Sequence, residues 1–206
     1  MSALTPHTVL LVALAALVGY VVGSVPVGYL IGRSQGIDIR THGSGKMGAT
    51  NVLRTLGPRA SALVMLCDVG KGILAVGLAL LAAHTLSAET AAGVAAIVGH
   101  IFPLFAGFRG GRGVATSLGA LLVISPLVGL AALAIGLVVI ARSRVASLGS
   151  LVGGGLALAI MLVLFLHRTE TLLPLIYCLL AFAIVAAAHR DNIQRLASGT
   201  ERKIQL

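Results

Sequence analysis

Long apolar runs separated by short polar, basic segments set the frame of this chain. The first run, about residues 9–31, is long enough to cross a bilayer as a helix. Its second half carries Gly19, Gly23, Ser24, Pro26 and Gly28. Small residues permit close helix contacts and Pro26 permits a kink, so this end is expected to pack on protein rather than lipid. Further runs cover about 60–83, 91–105, 114–141, 145–166 and 172–188. The fourth would measure roughly 42 Å as one helix, and Ser125-Pro126 divides it in the middle. Two short crossings, or a re-entrant hairpin turning at Pro126, are expected there. The pattern predicts an all-α polytopic membrane protein with about seven transmembrane helices, forming a single domain over residues 1–206.

The polar segments fix the expected orientation. Arg33, Arg40, Lys46, Arg54 and Arg59 lie together, with Asp38 as the acid among them; Arg109 and Arg112, then Arg142 and Arg144, then Arg190, Arg195, Arg202 and Lys203 follow at later segments. By the positive-inside rule all of these are cytoplasmic, which puts the N-terminus outside and the C-terminus inside. Thirteen of the fifteen basic residues are then inside, leaving Arg168 outside and Lys71 within a span. Only 10% of the 206 residues are charged and 58% are hydrophobic, against roughly 25% charged in a soluble domain. The net charge of +9 points to anionic lipid and phosphorylated substrates, not nucleic acid, because the basic residues sit in short loops between apolar runs. No Lys or Arg precedes Arg33, so the first run is expected to be kept as a span and not cleaved as a signal peptide. Cys67 and Cys178 fall inside apolar runs and read as small core residues.

The chemistry concentrates in three polar stretches: THGSGKMGATNVLR at 41–54, FRGGRG at 108–113 and HRDN at 189–192. Gly43, Gly45 and Gly48 let the first loop turn tightly and bring N–H groups near an anion. Ser44 and Asn51 add neutral hydrogen-bond groups, and Lys46 and Arg54 add positive charge. Gly110, Gly111 and Gly113 are expected to wrap a second phosphate contact around Arg112. His189 and Asn192 share a face if the last helix continues through them, and His189 can hydrogen-bond or shuttle a proton. Asp68 and Lys71, three residues apart inside a span, read either as a self-neutralising pair near the headgroups or as a pair supporting the substrate site, with His100 nearby in the same role. Several site types are absent. Gly45-Lys46 is followed by Met47, which breaks a Walker A loop; there is no H-E-x-x-H, no G-x-S-x-G, and no His with an Asp five positions on. The six scattered His give no metal site. A transporter of phosphorylated anions would also use basic loops, but it needs a midplane site and commonly an inverted repeat, and no repeat is evident.

The segments GSVPVGYLIG, GIDIRTHGSGKMGATNVLRTLG, DVGKG, GHIFPLFAGFRGGRGVATSLG and HRDNIQRLASGTE resemble, in order from about Gly23 to the C-terminus, the bacterial acyl-phosphate:glycerol-3-phosphate acyltransferase family. The resemblance implies a seven-span inner-membrane enzyme with its active site on the cytoplasmic face. It implies transfer of a fatty acyl group from long-chain acyl phosphate to the 1-position of glycerol 3-phosphate, releasing lysophosphatidic acid and phosphate as the first acylation of phospholipid synthesis. No cofactor is implied, because acyl phosphate is already activated; coupling to the soluble enzyme that makes acyl phosphate is. The family's essential Ser and Arg fall on Ser44 and Arg54, its glycine-rich glycerol 3-phosphate loop on 107–113, its third-motif His and Asn on His189 and Asn192, and a structural Glu on Glu201. Lys46 stands where the family usually has Asn, and Arg112 where it often has Lys. Ser44 is expected to hydrogen-bond substrate, not to act as a nucleophile, since no base adjoins it in sequence. His189 either takes the proton of the attacking hydroxyl or only positions the acceptor while the donor's phosphate takes it; the resemblance favours the second. The acyl chain is expected in a groove between apolar helices, against the small residues from Gly19 to Gly28.

Overall fold

The breaks that proline and polar residues place in the apolar runs decide where helices start and stop in the computed structural model, which describes residues 5–204. Those residues form ten α-helices: α1 (Pro6–Gly23), α2 (Val27–Ser34), α3 (Ala49–Leu56), α4 (Pro58–Ala83), α5 (Leu86–Ile101), α6 (Val114–Ile124), α7 (Pro126–Ser143), α8 (Ala146–Leu166), α9 (Leu172–Ala188) and α10 (Arg190–Ala197). The all-α expectation holds, and the described residues contain no strand. Large apolar side chains such as Leu66, Leu81, Leu127 and Leu166 point outward, which suits a lipid-facing surface. α5 starts earlier than its apolar run because the Thr85 hydroxyl accepts from Ala88 N–H and Glu89 sits in the first turn.

The first run breaks between α1 and α2, where Pro26 cannot donate to the helix. Lys71 of α4 packs against this break, its Nζ donating to the Val25 carbonyl at 3.2 Å. The fourth run splits at Ser125-Pro126 as expected. Gly129 of α7 lies against Leu122 of α6, so the two helices form a hairpin that turns at Pro126. α6 has 11 residues and rises only about 16 Å, roughly half of a 30 Å hydrocarbon core. Five segments are long and apolar enough to cross a membrane, with a sixth if α9 and α10, bent by 67°, count as one. That bend falls at His189, so the last helix does not run straight through to Asn192.

α1 packs along α5, α4 on α6, α7 on α8, and α9 on both α5 and α8. A β-carbon on Gly19 or Gly23 would strike the backbone of Ala92 or Ala96 in α5, and one on Gly28 would strike the Met47 carbonyl. The small-residue face from Gly19 to Gly28 is therefore filled by protein. Close packing there is as expected, but the acyl groove expected along it is not: helix-to-backbone contact leaves no room. The central core instead gathers Val76, Ile97, Leu121, Val128, Met161 and Tyr177, and the Tyr177 hydroxyl donates to the Ser117 carbonyl at 2.7 Å.

Candidate active site

The loop before α3 is shaped by one side chain. Asn51, 2% exposed, accepts from Ser44 N–H on Oδ1 at 2.8 Å and turns Nδ2 toward the carbonyls of Lys46 (2.9 Å), His42 (3.0 Å) and Ile39 (3.2 Å). Gly43, at φ +56°, has no side chain where Asn51 Oδ1 sits. Both Asn51 amide hydrogens are thus turned to the loop's own backbone, where the sequence reading expected a phosphate contact. Ser44 is half-buried, and its hydroxyl has no hydrogen-bond partner among the described residues.

The second loop also differs from expectation. Gly110 N–H donates to Ile101 O and Gly111 N–H to His100 O, both at 3.1 Å, so these groups cap the end of α5 in place of cradling an anion. Their lack of side chains serves close approach: a β-carbon on Gly110 would meet the His100 carbonyl, and one on Gly111 the His100 ring. Arg112 and Gly113 do face the cleft, and Gly113 turns the chain at φ +80° into α6. Met47 N–H lies 3.5 Å from the Gly110 carbonyl, joining the two loops.

Two cavities meet at these loops. One of about 230 Å³ has a polar mouth of Ser44, Lys46, Arg54, Arg112 and His189 and an apolar body between α6, α7, α8 and α9, including Leu121, Leu137, Gly153, Ala157, Phe182 and Val185. The other, about 130 Å³, holds Gly43, Arg54, Arg112, Arg195 and Arg202 with Asp191, Asn192 and Glu201. Ser44, Thr50, Arg54, Arg112, Ala146 and Ser147 line both. Of the expected site residues, Gly45, Gly110, Gly111 and Lys71 line neither, whereas Asp68 and His100 line the larger. Ser147, Arg195 and Arg202 were not singled out in sequence. The two arginines lay within the last motif's neighbourhood, but Ser147 carried no signal beyond being a serine at the start of an apolar run.

The polar cavity has four arginines against two carboxylates, and one carboxylate is already engaged. Glu201 accepts from Asn192 Nδ2 at 2.6 Å, Arg195 Nε at 2.8 Å and Ser147 Oγ at 3.0 Å, tying α8, α10 and the C-terminal tail together. Burial pushes its pKa up, but these three bonds together with the Arg195 charge outweigh that and hold it below the usual carboxylate range. Burial pushes the pKa of Arg112 down, as it does for Arg54, where Arg202 adds repulsion. Arg112 Nε and Asn192 Oδ1 are buried without a hydrogen-bond partner. The first can donate a hydrogen bond and the second can accept one. The starts of α3, α6 and α8 border the cavities and none carries a side-chain cap, so their free N–H groups add to the positive potential.

His189 sits at the bend after the last apolar helix, 2% exposed. Its Nδ1 donates to the Val185 carbonyl at 2.8 Å, which leaves Nε2 as the unprotonated nitrogen. Burial lowers its pKa to about 4; the Val185 bond opposes this and Arg112 adds to it. At neutral pH it is an uncharged acceptor.

Fold and cleft together define a polytopic membrane protein whose arginine-lined cavity adjoins an apolar one. The family description "Glycerol-3-phosphate acyltransferase" matches residues 13–199, and the chain belongs to that family, a family of acyltransferases. It is 45% identical over 195 residues to a glycerol-3-phosphate acyltransferase of Clostridioides difficile, covering 92% of this chain and 93% of that one. It is 43% identical to that of Bacillus velezensis, over 95% and 99%. Its fold matches the crystal structure of PlsY (YgiH), an integral membrane glycerol 3-phosphate acyltransferase, in the glycerol 3-phosphate form with a TM-score of 0.86 at 33% identity, over 94% of this chain and 96% of that one. The lysophosphatidic acid form matches with a TM-score of 0.84.

Proposed function

We propose that this protein transfers a fatty acyl group from acyl phosphate to the 1-hydroxyl of glycerol 3-phosphate, giving lysophosphatidic acid and inorganic phosphate. The observation that carries the reading is the shared wall of the two cavities. The small cationic one suits a phosphorylated polyol; the larger one suits an acyl chain; and both border Ser44, Arg54, Arg112 and Ser147. The relatives' names supply the acceptor, and the solved relative in its lysophosphatidic acid form supports the product class. The whole chain, 1–206, acts as one domain in the bacterial inner membrane. The basic loops support a cleft on the cytoplasmic face with the N-terminus outside.

In this reaction the acceptor's O1 bonds to the acyl carbon, the bond from that carbon to the phosphate oxygen breaks, and the hydroxyl proton passes to the departing phosphate. Arg54 and Arg112, with the uncapped helix starts, hold the phosphate charge and the charge that builds on the carbonyl oxygen. Asn192 Oδ1 accepts from a glycerol hydroxyl. His189 is neutral, and a base whose conjugate acid has a pKa of about 4 takes a proton poorly at pH 7. It therefore orients the acceptor through Nε2, and the donor's own phosphate serves as base. Ser44 donates its hydroxyl proton to substrate. The activated donor calls for no coenzyme and must be made by a separate enzyme.

The test uses purified protein in detergent with palmitoyl phosphate and glycerol 3-phosphate, reading phosphate release. Release that needs both substrates and is lost in Ser44→Ala supports the reading. Faster acylation from acyl-coenzyme A or acyl carrier protein thioesters would overturn the donor class, and no acylation from any donor would overturn the function.

A further inference from the structure

In the wall of the larger cavity lies a buried polar cluster that the proposed reaction does not use. Asp68, Lys71 and His100 are 2%, 7% and 7% exposed. Asp68 Oδ1 accepts from Lys71 Nζ at 2.8 Å and lies 3.5 Å from His100 Nδ1. That same ring nitrogen is 3.2 Å from Thr116 Oγ1 of α6. Lys71 is accounted for by the break between α1 and α2, where it holds the Val25 carbonyl. His100 is not needed for that.

His100 grips the second loop twice. Its carbonyl accepts from Gly111 N–H, and its ring Nε2 lies over Gly111 where a β-carbon would overlap it. The next residue is Arg112, whose guanidinium borders both cavities and has a buried, unpartnered Nε. Asp68 and Thr116 fix the ring; the ring and carbonyl fix Gly111; and Gly111 sets where Arg112 emerges. We infer that His100, held by Asp68 and Thr116, is a positioning residue for the anion-binding guanidinium of Arg112. The inference rests on the reading that Arg112 meets glycerol 3-phosphate. Merely neutralising Lys71 would explain Asp68 but not a ring seated between α6 and the glycine loop.

The test is a double-mutant cycle on the full chain in detergent, following KM for glycerol 3-phosphate, kcat and melting temperature. Arg112→Ala and His100→Ala should each raise KM, the second by about tenfold to a hundredfold as expected for a misplaced binding group. The double variant should be no worse than Arg112→Ala alone, because both remove one interaction. Gly111→Ala should damage the parent but be largely tolerated beside His100→Ala, where the ring no longer occupies the space. Thr116→Val, which keeps the side chain's shape and loses the hydroxyl, should raise KM about threefold and repeats the cycle if His100→Ala fails to fold. Additive losses in the cycle, or a fall in melting temperature at unchanged KM, would overturn the positioning role. An unchanged KM in Arg112→Ala itself would instead refute the reading of Arg112 on which the inference stands.

Discussion

Replacing Asn51 separates loop-building from substrate contact. Its amide makes one contact through Oδ1 and faces three carbonyls through Nδ2. Two amide hydrogens cannot serve three carbonyls fully, so about three hydrogen bonds' worth is at stake. At about 1 kcal/mol net each, Asn51→Ala removes roughly 3 kcal/mol from the loop, and rehydration of the freed carbonyls returns part of it. A loss of about 2 kcal/mol corresponds to roughly thirtyfold in an opening equilibrium. Hydrogen–deuterium exchange on substrate-free protein reads this directly: the Ser44 amide, bonded to Oδ1, should exchange roughly thirtyfold faster. Asn51→Asp is the sharper variant. It keeps an acceptor for Ser44 but sets a carboxylate oxygen against the three carbonyls, so this near-isostere should be at least as disruptive as alanine. If Ser44 exchange is unchanged in Asn51→Ala while KM for glycerol 3-phosphate rises, the amide binds substrate and the reasoning here is refuted.

Other expectations follow from the same geometry. With the His189 pKa lowered to about 4, kcat/KM should show no inflection near pH 6.5 assignable to this residue. Because the folded-state pKa lies below the unfolded value, its contribution to stability is complete above about pH 6.5 and is lost as pH falls toward 4, which thermal melts of the protein and of His189→Asn can compare. Glu201→Ala should lower the melting temperature and activity together, since three donors lose their acceptor; Glu201→Gln should recover part of both. A larger side chain in the apolar cavity, Ala157→Leu, should raise KM for palmitoyl phosphate and leave KM for glycerol 3-phosphate unchanged. Gly23→Leu, in contrast, should destabilise by about 1–3 kcal/mol through overpacking against α5, with unchanged KM for either substrate in the protein that folds.

Much of this protein was legible in its residue pattern. Lipid demands apolar lengths matched to the bilayer, so the runs had to become helices; Pro26 and Pro126 lack an amide proton, so the first and fourth runs had to break there. The polar loops marked themselves because Ser44, Arg54, Arg112 and His189 have no place on a lipid-facing helix, and the structure gathers them around one cleft. Direction was not legible. Asn51 and the Gly110 and Gly111 amides looked like ligands for a phosphate, yet they face Ser44, Lys46, Ile101 and His100. Nor was the apolar cavity: an acyl groove was expected against Gly19 and Gly23, but that face is filled by Ala92 and Ala96, while space remains between α6 and α9. Ser147 gained meaning only beside Glu201, which the tail brings back from 54 residues away and which also holds Asn192. Solvent preference is a property of each residue and can be read along the chain. Hydrogen-bond direction and leftover volume belong to surfaces brought together from distant segments, and only the packed helices decide them.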